Sequence, residues 1–306
     1  MEVAVLLGMQ TKPAIPPLTN QKLTMKNKYC RNLITAPLLA IALGTGVASA
    51  GTTETMTPAP APAPAEDVVS GVLKLDFNSH FVSYGFDVWG DAESVSDMGF
   101  NPMIELAFKL PAGFTATLGT WWDVNSKGDS STAFGNIGGQ LREVDVWTGL
   151  AYTYDKFTVG VTFQDWLYNS ATEEILDVKF SYSGFLSPSL TIHNRLGAGG
   201  SGGEEGTVLV LGVSHSIEAG PATISFPVNV AYFLQDDYHP ASTDDGFGFA
   251  SVGIGASLPL TPYMGGALGE WTLNAGLAYY FTDDEVINNA NGDDFLTTSI
   301  GLSLAF

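Results

Sequence analysis

From about residue 70 onward the sequence alternates in hydropathy with a period of two. Successive side chains of a β-strand point to opposite faces, so such runs are strands with one apolar and one polar side. The clearest run places Val144, Val146, Thr148, Leu150, Tyr152 and Tyr154 on one face and Glu143, Asp145, Trp147, Gly149, Ala151 and Thr153 on the other. The last run sets Leu296, Thr298, Ile300, Leu302, Leu304 and Phe306 against Thr297, Ser299, Gly301, Ser303 and Ala305. Twelve runs can be drawn, at 71–88, 101–110, 114–122, 141–154, 157–167, 174–183, 189–196, 207–217, 222–234, 248–258, 271–281 and 295–306. No stretch after Ala50 is apolar for 18 residues, so a membrane-spanning helix is excluded there.

The connections constrain the fold further. Pro111-Ala112-Gly113, Asp155-Lys156, Gly184 to Pro188 and Glu218 to Pro221 are short, whereas 89–100, 123–140, 168–173, 197–206, 235–247 and 282–294 are longer and polar. Short inner turns alternating with long outer loops are what a bacterial outer-membrane barrel has. Only 259–270 fits poorly, being long for an inner turn. In lipid every backbone N–H and C=O must be paired, and closure alone removes the sheet edges. The expectation is therefore an all-β fold, a closed antiparallel transmembrane β-barrel of about twelve strands with both termini on the short-turn side. Pro227 loses a ladder bond and is expected to mark a bulge.

Aromatic positions agree with two interfacial belts. Tyr84, Trp89, Trp121, Trp122, Trp166, Tyr168, Tyr232, Tyr279 and Tyr280 lie where runs enter long loops, and Phe114, Phe157, Tyr182 and Trp271 lie beside short turns.

The N-terminal part reads as targeting. Lys26, Lys28 and Arg31 precede the apolar stretch Leu33 to Leu43, which is followed by Ala48-Ser49-Ala50. This is the order of a secretory signal peptide. Residues 1–50 are accordingly expected to be an N-terminal extension and signal peptide, with Met25 as the better start and cleavage after Ala50. The region 51–70, with its TPAPAPAPA stretch at Thr57 to Ala65, is expected to be an extended periplasmic spacer, and 71–306 the barrel. Cys30, the single cysteine, precedes the apolar stretch, so it suits neither a lipid anchor nor a disulfide framework. The chain beyond Ala50 holds seven basic residues against 31 acids, a net charge of −24. That excludes a nucleic-acid partner, which would need clustered Lys and Arg.

The stretches LKLDFNSHFVSYGFDVWG (73–90), FNPMIELAFKLPAGFTATLGTWWDVN (100–125) and LREVDVWTGLAYTYDKFTVGVTFQDWLY (141–168) resemble the TorF-like porins. The resemblance covers roughly the first half of the barrel. Its opening motif is altered at Gly85, and Gly85-Phe86-Asp87 stands where the family carries Arg-Gly. Phe306, preceded by apolar residues at every second position, resembles the terminal signal read by the barrel assembly machinery. What the resemblance implies is a passive pore in the bacterial outer membrane, facing lipid and lipopolysaccharide and passing small hydrophilic solutes.

The faces opposite the apolar ones carry charges that should point into the lumen: Lys74, Asp76 and His80 on the first strand, Glu105 and Lys109 on the second, and then Glu143, Asp145, Asp177, Lys179, His193 and Arg195. One reading is an eyelet that sets solute selectivity. The other is a salt-bridged filling that plugs a structural or adhesive barrel, since a barrel of this size lies between filled and open ones. Acids dominate the long loops, among them Asp91, Glu93, Asp129, Glu204, Glu205, Asp236, Asp237, Asp244, Asp245, Asp283, Asp284, Glu285, Asp293 and Asp294, with Lys127 the one base. Such a collar raises the local cation concentration. A defined calcium site at Asp283 to Glu285 or at Asp293 and Asp294 is an alternative to solvated surface, but no regular loop pattern supports it. Ser79-His80 and Ser214-His215 raise the question of a lipid hydrolase, but strand neighbours point to opposite faces and cannot pair directly. No enzyme chemistry and no cofactor is expected.

Overall fold

In the computed structural model the described residues are 68–89, 97–126, 137, 140–169, 171–197, 203–264, 269–290 and 292–306. The expected signal peptide, the expected spacer over Thr57 to Ala65, Asp91, Glu93, Lys127 and Asp129 lie outside them.

Among these residues twelve strands close into one antiparallel barrel. They are β1 (Val69–Asn78), β4 (Gly99–Lys109), β5 (Phe114–Val124), β6 (Leu141–Tyr154), β7 (Phe157–Leu167), β8 (Thr172–Tyr182), β9 (Ser189–Gly197), β10 (Gly206–Ala219), β11 (Ala222–Phe233), β12 (Gly246–Pro259), β13 (Glu270–Thr282) and β14 (Asp294–Ala305). Sequence neighbours are sheet neighbours throughout, and β1 closes on β14 with Val72 opposite Ala305. Gly71 and Phe306 exchange backbone hydrogen bonds at 2.7 and 3.0 Å, which pairs the last residue into the seam. The expected fold is therefore observed. The connection that looked too long for an inner turn contains a four-residue helix, α1 (Thr261–Met264).

The outward face is apolar around the circumference. Leu118, Leu150, Val161, Leu211, Val230, Ile254, Leu277 and Ile300 are all exposed there. A surface of this kind is a lipid-facing one, and it makes the barrel a transmembrane one.

Three features depart from the sequence reading. The first run does not continue to residue 88. β1 stops at Asn78, and the chain folds inward as a small hairpin of β2 (Val82–Ser83) and β3 (Phe86–Asp87). The β7–β8 connection, expected to be among the longer loops, spans only 168–171. The aromatic belt is thinner at the long-loop end than expected. Trp122, Tyr232 and Tyr279 face outward, but Tyr84, Trp166 and Tyr280 are buried inside, at 1%, 1% and 4% exposure.

The register is interrupted near the long-loop ends. Between β5 and β6, Asp123 faces Glu143 while Val124 faces Leu141, leaving Arg142 as an extra residue. Between β8 and β9 the extra residue is Leu196, and between β11 and β12 it is Gly248. Pro227, by contrast, interrupts pairing to β12 without shifting it, so the expected bulge at Pro227 is displaced to Ala231/Tyr232. Bulges of this kind re-aim side chains at barrel rims.

Candidate functional site

The lumen has two halves of different character. Toward the short turns its lining includes small polar side chains, Thr115, Thr117, Ser225 and Ser303. Lys74, Asp76 and Lys179 point inward from this wall and are half-buried. Toward the long loops the lumen is filled by a cluster that joins Val82 and Tyr84 of the hairpin to Trp166, Ile175, Phe233, Phe249 and Tyr280 on the wall and to Tyr238 and Ile287 of the long loops.

The hairpin turn is Tyr84-Gly85, with φ of 47° and 84°. A two-residue type I′ turn needs positive φ at both central positions. Gly85 adopts this freely, whereas a tyrosine there costs about 1–2 kcal/mol. A Cβ on Gly85 would also lie 2.7 Å from both Ile287 Cδ1 and Phe249 Cδ1. Tyr84 is held in this conformation from several sides. Its Oη lies 2.7 Å from His193 Nδ1, and its carbonyl lies 3.1 Å from His239 Nε2. Asn289 Nδ2 donates to the Gly85 carbonyl at 3.0 Å, and the Asp87 N–H donates to Asn289 Oδ1 at 2.8 Å. Trp89 Nε1 donates to Asp123 Oδ2 of β5 at 2.6 Å.

His193 is the hub beneath the turn. Asp177 Oδ1 lies 2.7 Å from its Nδ1, and Tyr238 Oη lies 2.7 Å from its Nε2. Gln164 Nε2 donates to the other Asp177 oxygen at 2.7 Å. Arg195 Nε is 3.2 Å from Glu173 Oε2, its Nη1 donates to the Tyr238 carbonyl at 2.6 Å, and its guanidinium lies 3.9 Å from the centre of the Tyr238 ring. Burial pushes the Tyr84 hydroxyl well above its ordinary pKa, with nearby Asp177 adding to the effect. Burial likewise pushes the His239 imidazole down to about 3, helped by Arg195, so it is a neutral ring that donates one N–H to Tyr84.

Of the lumen residues expected from sequence, Asp177, His193 and Arg195 meet in this network. Glu143 and Asp145 are buried near it on β6. Glu105 is buried elsewhere and accepts from Trp147 Nε1 at 2.8 Å. Lys109 is exposed at the short-turn end of β4. His80 is not on the first strand at all; it lies at the root of the hairpin, with Nδ1 3.0 Å from Asp87 Oδ2. Tyr84, Tyr238, His239, Glu173 and Arg142 belong to the site and were not expected. The serine–histidine neighbours go separate ways. Ser79 Oγ accepts from the Thr298 N–H at 2.8 Å, and His215 Nδ1 lies 2.9 Å from the Phe185 carbonyl. Among the described residues no group of three His, Cys, Asp or Glu side chains is placed to hold a metal.

No protein-family model matches the sequence, so the likeness to TorF-like porins stands as a resemblance. No curated protein matches it either. Solved structures are similar in architecture. The COG4313 outer membrane channel from Pseudomonas putida F1 aligns with a TM-score of 0.48 at 11% identity, over 82% of this chain and 100% of that one. The NanC porin aligns with a TM-score of 0.45 at 13% identity, over 76% and 98%. The KdgM porin aligns with a TM-score of 0.43 at 9% identity, over 77% and 99%.

Proposed function

We propose that the chain is a bacterial outer-membrane channel for passive diffusion of small hydrophilic solutes, with a weak cation preference, and that the inward hairpin narrows its outer mouth. The observation that carries this reading is the small, polar lining of the short-turn half around Lys74, Asp76 and Lys179. A barrel that served only as scaffold would have reason to fill that half with interlocking large side chains, as its other half is filled. The exposed acids Glu204, Glu205, Asp236, Asp237, Asp244, Asp245 and Asp284 at the long-loop end supply the cation bias. Phe306, whose ring is exposed beside the seam, is the residue offered to the barrel assembly machinery.

The test is the reversal potential of the refolded chain in a planar bilayer under a KCl gradient. Discrete current steps with a cation-biased reversal potential are expected. A second reading, a structural or adhesive barrel with a plugged lumen, is favoured by the hairpin's network of anchors. A folded barrel that gives no steps would select it. Lipid hydrolysis is the least supported reading, and phospholipid cleavage by the refolded chain would be needed to revive it.

A further inference from the structure

The sequence has four histidines, and three of them hold the hairpin. His80, at its root, has Nδ1 3.0 Å from Asp87 Oδ2 on β3. His193, on β9, has Nδ1 2.7 Å from the Tyr84 hydroxyl. His239, in the connection between β11 and β12, has Nε2 3.1 Å from the Tyr84 carbonyl. All three are buried, at 6%, 0% and 2% exposure. The fourth, His215, lies on β10 against the ring of Phe185. Histidine is the side chain whose ordinary charge change falls between pH 5 and 8, so this placement ties the hairpin to protonation.

The three differ in what an added proton would meet. His80 and His193 face the carboxylates of Asp87 and Asp177, at 3.0 and 2.7 Å, so a charge on either ring meets an opposite one. The His239 ring lies instead against Phe86 at 5.3 Å, Phe233 at 5.4 Å and Tyr238 at 5.0 Å. The ionisable groups that act on it are Arg195 and His193, which repel a cation when charged. Arg142 and Glu143 share with it the lining of a small recess, where Glu143 is hydrogen-bonded to Asp145. That recess has about 30 Å³ of space, which admits water and lets a proton reach the ring. With Nε2–H donated to the Tyr84 carbonyl, the added proton goes to Nδ1 and buries a cation among aromatic rings and a guanidinium.

We propose that the hairpin is an acid-released plug, freed when His239 gains a proton and the β11–β12 connection withdraws from the Tyr84 carbonyl. The proposal rests on the channel reading for its effect on current, and it names the regulation of the outer mouth. Withdrawal takes the charged ring to water and lets Tyr84 leave its φ of 47°. Burial first, and Arg195 next, hold the buried imidazole at about 3, below its ordinary 6.5. Between those values the released state binds the extra proton, so acid favours release, by up to about tenfold per pH unit.

The experiment records single channels of the refolded full chain at pH 7.5, 6.5, 5.5 and 4.5, with both chambers at the same pH. Protection factors of the hairpin amides are measured at the same pH values. Protonation of the acidic rim alters step size, so the quantity read is the fraction of time spent in the larger conductance level. That fraction is expected to rise by up to about 100-fold between pH 6.5 and pH 4.5, with hairpin protection falling in parallel. The larger level should match that of a variant with residues 80–88 replaced by a glycine-serine linker, which should show no switching at any pH. His239→Gln keeps an N–H for the Tyr84 carbonyl but cannot titrate, and it should lose the rise. A fraction that stays constant or falls toward pH 4.5 in the unaltered protein would overturn the proposal, and needs no variant to fold. So would an equal rise in a folded His239→Gln. Falling hairpin protection without current at any pH would instead defeat the channel reading and leave acid release standing.

Discussion

At the scale of residues, the filled half of the lumen depends on a few buried polar contacts. Arg195 and Glu173 are almost wholly buried and paired at 3.2 Å. Arg195→Met leaves the Glu173 carboxylate uncompensated, and removing one partner of such a pair costs about 3–5 kcal/mol. A lowered denaturation midpoint with an unchanged strand spectrum is the expected result. Tyr84→Phe takes one hydroxyl from His193 and is expected to cost about 1–2 kcal/mol, read the same way. His239 supplies a pH dependence. Its folded pKa of about 3 lies below the ordinary 6.5, so the unfolded chain binds more protons between those values. Stability from this residue is therefore undiminished above about pH 6.5 and falls as pH drops toward 3, by up to about 1.4 kcal/mol per unit. Protection factors of the hairpin amides, with the intrinsic exchange rate at each pH divided out, should fall between pH 7 and pH 4, and His239→Gln should flatten that slope. An identical slope in the variant would place the titrating group elsewhere.

At the scale of elements, most barrel strands were readable from alternation because lipid outside and polar lumen inside impose the same period on each of them. The hairpin was not, for a physical reason. Phe81 to Val88 keep alternating through β2 and β3, so a run that turns inward has the pattern of one that continues. The turn residues Tyr84-Gly85 are not the Asn-Gly or Asp-Gly pairs that favour positive φ, and tertiary contacts rather than local preference set their conformation. Trp166 and Tyr280 were assigned to the membrane belt by their place along the chain. Their parity tells otherwise, since Trp166 shares a face with Thr162 and Gln164, which point inward. Arg142 was unreadable because its direction depends on a bulge, which is a property of the pairing with β5 and not of β6 alone. Asp177, His193 and Arg195 were legible as lumen residues from alternation, but their shared partners Tyr84 and Tyr238 arrive from distant segments.

At the scale of the whole molecule, closure through β1 and β14 leaves no open edge. Unboiled protein should therefore migrate faster than boiled protein in detergent gels, and identical migration would count against a closed barrel. The acidic rim acts over about a Debye length, roughly 8 Å at physiological salt, so its effect belongs to the mouth as a whole. Replacing Asp236, Asp237, Asp244 and Asp245 with asparagine should shift the reversal potential toward zero with little change in stability. The central claim is that a wide twelve-stranded lumen is restricted at one end by the hairpin between β1 and β4. It is tested most directly by comparing the single-channel conductance of the unaltered protein with that of a variant whose residues 80–88 are replaced by a glycine-serine linker. The account expects the variant to fold as a heat-modifiable barrel with a unit conductance several-fold larger. Equal conductance from two folded proteins would contradict it.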